Sequence, residues 1–599
     1  MKNKRILFYM AITCLLVPLS AMGQASNNNN GPFLPKQTDQ PQIPNVVNTN
    51  ETEFQREGHF LDFIGSYIPE SAASARAYYK AIDPYGKKAT FQQWLVNAGF
   101  IGQATDWRPN GAQDVRIQPG CAATNSCTHG PNIISADAHV IVLNAADLGF
   151  VRNQFIRCIP SCTAKNPIIY TYLENYPVGP FASGTNGSGF PNKSGYPSNA
   201  EVDAAIHSAI TRPLGVLGGD GVSPCPGFGG GACVERIADV AFEWAPPATN
   251  PTSSSRFGQL YAYIYQHNGT DPVAGPITVE TTDFPFSFNT APICDFVAGN
   301  CPHTPPGTTQ VVGGIPIFVN PSGPGSNPPS DKFAPNLDGI GFKQHPGVCL
   351  TCHGGQPAKL TSSGAYPRGG NINGFRFLPL DVKNLGFAAA PYTDVGVGNG
   401  DYTLAGQQAQ IKAYNIAVLA TVPISAEDDG TGAVRVAHLR EVINGWYSSN
   451  GNYSNDSFMQ SNTQNTEFIP QGWREPPNGT APLHSEDLYK QVVGPSCRSC
   501  HFNREVSLDF GTYANFHQDS DLTQLALIAA CKQGHPDPPD PGAKFMPLAH
   551  LTWVRFWETQ NGNTRKLFDG TQLTNEVDRL ADDFGFSPLG VQGYCNTNP

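Results

Sequence analysis

Charge, methionine and long apolar runs are what this 599-residue sequence has least of. Only 14% of its residues are charged, with 37 Lys and Arg against 48 Asp and Glu and a net charge of -11. A chain so short of cations offers nothing to a polyanion, which excludes nucleic acid as a partner. After the amino-terminal leader, no stretch approaches the roughly 18 consecutive apolar residues that cross a bilayer as a helix. No Ser/His/Asp arrangement, phosphate-cradling Gly loop or paired-carboxylate motif stands out, so hydrolytic and nucleotide chemistry have no anchor here. His59, His129, His139, His207, His267 and His303 never fall two together at metal-ligand spacing. Five methionines are present, and only Met459 and Met546 lie beyond the leader.

The leader itself is residues 1–23. Lys2, Lys4 and Arg5 precede the apolar run 6–19, and the small residues Ser20-Ala21-Met22-Gly23 follow. That order predicts a secretory signal peptide cleaved before Gln24. Cys14 lies inside the apolar run, which argues against a lipid-anchored cysteine. The expected address is therefore the bacterial periplasm or the cell exterior, with no transmembrane segment after cleavage.

Gly (62) and Pro (53) are abundant, as in a loop-rich folded protein. Of the 15 cysteines, ten remain once Cys14 and four motif cysteines are set aside. They fall into close pairs: Cys121 with Cys127, Cys158 with Cys162, Cys225 with Cys233, Cys294 with Cys301, and Cys531 with Cys595. In an oxidising compartment such local disulfides are the expected state, although sequence alone leaves the connectivity open.

The remaining four cysteines carry the chemistry. Cys349-Leu350-Thr351-Cys352-His353 and Cys497-Arg498-Ser499-Cys500-His501 both read C-x-x-C-H, the attachment pattern for c-type haem. On a helical turn, positions i, i+3 and i+4 share a face, so two thiols meet the porphyrin while the imidazole meets its iron. With so few Cys and His, random placement yields about 0.01 such matches. The sequence has two, and neither has a nearby Cys or Cys/His pair that would complete a zinc site. The expected cofactors are two covalently attached haem c groups, held by Cys349, Cys352, Cys497 and Cys500, with His353 and His501 as iron ligands.

Met546 stands in Lys544-Phe545-Met546-Pro547, ahead of a helical pattern over residues 548–558. That is where a distal thioether ligand to the second haem belongs, with His550 as the fallback; the bland alternative is a core gap-filler. Haem 1 has no such partner. Between His353 and a helical pattern at 434–447 there is neither Met nor His. Its sixth ligand comes from His438, Met459, His345, His484 or a histidine of the amino-terminal part, or the position is open to a small molecule.

The two motifs with Met546 resemble the cytochrome c family over about residues 335–570. More narrowly, Asp338-Gly339, residues 349–355, Phe375-Arg376-Phe377-Leu378-Pro379-Leu380-Asp381, Gly445-Trp446-Tyr447, residues 468–473 and residues 488–501 resemble a group of secreted bacterial dihaem proteins with no established activity. Asp147-Leu148-Gly149-Phe150 matches the same group. The spacing of about 150 residues between motifs is also similar to that of bacterial dihaem peroxidases.

The expected architecture is a flexible leader (24–50), a disulfide-stapled α+β domain (51–330), and two mainly α-helical, cytochrome c-like haem domains (331–480 and 481–599). Helical spacing covers residues 54–64, 72–82, 90–98, 404–419 and 434–447, and strand-like runs cover 138–143, 168–173, 240–244 and 259–265. A capping Ser485 opens a further helix, and Gly494-Pro495 is expected to redirect the chain into Cys497. Three functional classes stay open. The first is one-electron transfer with an unidentified redox partner protein. The second is a haem-dependent peroxidase- or oxygenase-like oxidoreductase with haem 1 as its open centre. The third is a surface- or partner-binding protein that carries an electron-transfer module.

Overall fold

The computed structural model describes residues 72–88, 91–103, 114–117, 133–147, 149–164, 166–176, 178, 197–211, 223–224, 232–233, 238–246, 258–266, 309–312, 315–318, 345–355, 358–372, 374–392, 400–422, 436–448, 460–501, 510–517, 551–552, 555–556, 559 and 564–583. Helices α1 (Ala72–Ile82) and α2 (Phe91–Asn97) lead into strands β1 (Ala138–Asn144), β2 (Val151–Ile159) and β3 (Ile168–Tyr176). Helix α3 (Asn199–Thr211) follows, then β4 (Ala238–Ala245) and β5 (Gln259–Gln266). Beyond lie α4 (Gly347–His353), the short β6 (Leu385–Gly386), α5 (Leu404–Ala420) and α6 (Val436–Tyr447).

The sheet runs β6-β1-β2-β3-β4-β5, and every neighbouring pair is antiparallel. Strands form at all four strand-like sequence runs. β2 was not among them, and its composition explains why. Val-Arg-Asn-Gln-Phe-Ile-Arg-Cys-Ile is buried or half-buried along its whole length yet carries three consecutive polar residues, Arg152, Asn153 and Gln154, so neither a continuous apolar run nor an alternation reveals it.

One face of the sheet is an aromatic layer. Phe155 stacks on Tyr172 at 4.7 Å, and Phe91, Trp94 and Phe100 close over Tyr172 from α2 and the turn after it. Helix α3 covers the other end of that face with Val202, Ala205, Ile206 and Ala209. Cys158 and Cys162 are disulfide-bonded at the end of β2. The remaining expected pairs include cysteines outside the described residues.

Packing runs across the boundary expected near residue 330. A continuous buried cluster extends from Ala75 through the sheet to Leu350, Phe377, Trp446 and Phe468. Strand β6, which follows the first motif, joins the edge of β1. Side-chain amides then take the place of a ladder. Gln407 of α5 accepts from Ile141 N at 2.7 Å and donates to Ile141 O at 2.9 Å, while Asn415 does the same for Leu380 at 2.7 and 2.9 Å. Buried backbone groups without a strand partner are thereby satisfied.

The second motif lies at the end of a helical run with three parts: α7 (Ser485–Leu488), a π-helical stretch (Tyr489–Cys497) and α8 (Arg498–His501). Two local expectations change here. The residue at the cap position is His484 in a left-handed conformation (φ 75°), and Ser485 sits inside the helix with its hydroxyl donating to Pro482 O. The chain also does not turn at Gly494-Pro495. Proline has no N–H to give, and the wider π spacing, with Arg498 N donating to Val493 O, carries the helix past it. A separate cluster including Trp473, Tyr489, Val492, Phe516 and Phe556 surrounds this run. Among the described residues, no helix is long and apolar enough to cross a membrane.

Candidate haem-binding cavity

Helix α4 is seven residues long and ends where Gly354 and Gly355 take positive φ (77° and 87°), which other residues resist. Within it Cys349, Cys352 and His353 share one face, as their spacing requires. His353 Nδ1 lies 2.8 Å from the backbone carbonyl of Arg376. A carbonyl only accepts, so Nδ1 carries the proton and Nε2 is the nitrogen left for a metal. Phe242 and Phe375 hold the ring at 4.9 and 5.8 Å. Burial pulls the imidazole pKa down to about 4, so it is neutral, the form that ligates.

Beside α4 opens a cavity of about 1150 Å³, open solvent at its mouth included. Val348, Cys349, Cys352 and His353 form one side. The opposite wall is the second face of the sheet, and strand register fixes which residues it presents. Arg152 pairs with Asn175, Gln154 with Leu173, Leu173 with Val240, and Val240 with Ile264, so these side chains point the same way. All of them line the cavity, as does Phe242. The segment 378–381, Tyr414 of α5, and Ser499 and Cys500 of α8 complete it.

The two motifs are therefore neighbours. α4 and α8 lie in contact, and Cys500 stands in the same cavity wall as Cys349 and Cys352. All four motif cysteines carry thiols. Burial raises the Cys497 thiol pKa to about 12 and that of Cys349 higher still. His501 stacks on Phe510 at 4.0 Å, nearly parallel. Thiols at i and i+3, an imidazole oriented through its other nitrogen, and a cavity that opens to solvent at its mouth suit a covalently held tetrapyrrole. In the first motif Cys349, Cys352 and His353 would hold it, and in the second Cys497, Cys500 and His501.

His59, His129, His267 and His303 lie outside the described residues, and the described histidines considered for haem 1 lie elsewhere. His345 is fully buried and stacked on Tyr79 at 4.8 Å, away from the cavity lining. His438 sits 3.8 Å from Glu441, His484 is exposed, His139 bonds Asn153 at 2.6 Å, and His207 packs near Tyr392. Among the described residues that line the cavity, His353 is the only histidine and there is no methionine. Met459, Met546 and His550 lie outside the described residues. Among those residues the one cluster of three metal-donor side chains is Asp137, Cys158 and Cys162. Its cysteines are consumed in a disulfide, and Asp137 accepts from Cys158 N at 2.6 Å.

Sequence reading missed Arg152, Gln154, Asn175 and Tyr414, because residues from separate strands and a helix meet only in the fold. One signal was present. Asp147-Leu148-Gly149-Phe150 is the turn between β1 and β2, where Gly149 has φ +79° and a Cβ would meet Leu551 at 2.7 Å. Asp147 forms an ion pair with Arg152, and Phe150 lines the cavity. A comparison of the chain with family models, curated proteins and solved structures finds no match.

Proposed function

We infer that the chain is an exported dihaem c-type cytochrome that performs one-electron transfer, with haem 1 in the cavity beside α4 and haem 2 on α8. The observation that carries this reading is the contact between the two motif helices, with Cys500 in the wall shared by Cys349, Cys352 and His353. Bound haem supplies an iron that takes up and gives back one electron. The residues supply the rest. His353 and His501 offer axial nitrogens, Arg376 O orients the first of them, and Phe242 and Phe375 keep water from its ring. Close packing of the two helices would bring the groups held by Cys349, Cys352 and His353 and by Cys497, Cys500 and His501 near each other, which suits transfer between them and onward to a redox partner protein. Met546 is the proposed second ligand of haem 2, and the periplasm or cell exterior is the proposed location, where c-type attachment and the Cys158–Cys162 disulfide are both at home.

The test is direct. Produced with its leader in a host that attaches c-type haem, the exported protein should gain the mass of two haems that survive acid-acetone extraction. Potentiometric titration should then show two one-electron steps. Export without covalent haem would overturn the reading.

A further inference from the structure

The polar side of the cavity is built around Arg152. Its side chain is a quarter exposed and lines the cavity, and its guanidinium is held by the Asp147 carboxylate. Asp147 is itself fixed: Asn144 Nδ2 donates to it at 2.9 Å and Gly149 N at 3.2 Å. The Asp147 pair is the only hydrogen bond the Arg152 guanidinium makes within the described residues, and its buried Nε has no partner among them. Gln154 and the buried Tyr414, whose side chains bond to each other, stand on the same side. A cationic donor that is prepositioned, partly desolvated and underused calls for an anionic or strongly accepting partner.

We propose that Arg152 makes the cavity a binding site for a small anion at the haem 1 iron, an exchangeable ligand of two or three heavy atoms such as azide, on the side His353 does not occupy. The proposal rests on the haem reading above and deepens it. Asp147 is the positioning residue, which gives the Asp147-Leu148-Gly149-Phe150 turn its role. The anion's terminal atom accepts an Arg152 N–H that Asp147 does not use.

Azide titration of the oxidised, haem-loaded protein tests it, followed by low-temperature EPR and the visible spectrum. One haem should start high-spin and turn low-spin saturably. Arg152→Met should weaken azide binding about tenfold to a hundredfold, the worth of one hydrogen bond to a charged group. Arg152→Lys, which keeps the charge beside Asp147 and so guards against a folding defect, should recover part of that loss. No azide uptake by the wild-type protein with two haems overturns the site while leaving the haem reading intact. Unchanged azide affinity in Arg152→Met, with a lowered reduction potential, also overturns it, since Arg152 would then be pairing with a haem propionate. Absence of covalent haem is a failure of the underlying reading, seen before any azide is added.

Discussion

Arg498 Nη2 lies 2.6 Å from Asp381 Oδ2, and both side chains are almost wholly buried. Arg498 stands between the two cysteines of the second motif, and Asp381 lines the cavity beside the first. The guanidinium also bonds Tyr489 Oη at 3.1 Å and packs over the rings of Trp446 and Tyr489 at 5.3 and 5.6 Å. Asn384 donates to Ser499 Oγ at 2.8 Å, a second tie between the same segments. One ion pair thus fixes the position of one motif relative to the other.

Removing its acid should cost far more than an exposed pair would. Asp381→Ala leaves a buried guanidinium without its counter-charge, which is expected to destabilise by about 3–5 kcal/mol. Urea unfolding followed by circular dichroism measures it. A midpoint equal to that of the wild type would mean the pair is not holding the motifs together.

Glu243 predicts a pH effect. Burial raises its pKa, and the Lys88 ammonium at 2.6 Å only partly offsets that. With a folded pKa above the unfolded value of 4.5, its contribution to stability is complete below pH 4.5 and is lost as pH rises through the folded pKa. Glu243→Gln should therefore show a shallower decline of unfolding free energy over that window than the wild type. Parallel curves for the two proteins would remove Glu243 as the cause.

Replacing both Cys349 and Cys352 with Ala should remove one covalent haem and leave the other, read by mass and by the alkaline pyridine spectrum. The thioether bonds are local to each motif, so the count should fall by one. Loss of both would reveal that the shared wall makes the second attachment depend on the first.

Met546→Ala should abolish the near-infrared sulfur-to-iron charge-transfer band of the oxidised protein and lower the potential of haem 2. Persistence of the band would hand the ligand role to Met459.

Legibility in the sequence followed the reach of each interaction. The motifs were plain because i, i+3 and i+4 are local, and β1, β3, β4 and β5 because their runs are short and rich in apolar, β-branched and aromatic residues. β2 was hidden, since Arg152, Asn153 and Gln154 are polar residues covered on both faces. Ser485 looked like a cap, yet its hydroxyl is spent on Trp473 O and Pro482 O. The sheet wall of the cavity had no local signature at all: Arg152 and His353 share it only because the strands and α4 meet in three dimensions.

The seam between sheet and motifs also orders events in time. It closes only after positions from Asn144 to Cys500 have met, and contacts of such reach form late in folding. Once closed, it leaves Cys349 9% exposed, with a thiol that burial has made reluctant to ionise. On the proposed reading, covalent attachment at the first motif belongs to the newly exported, still open chain. Topology then sets the schedule of maturation.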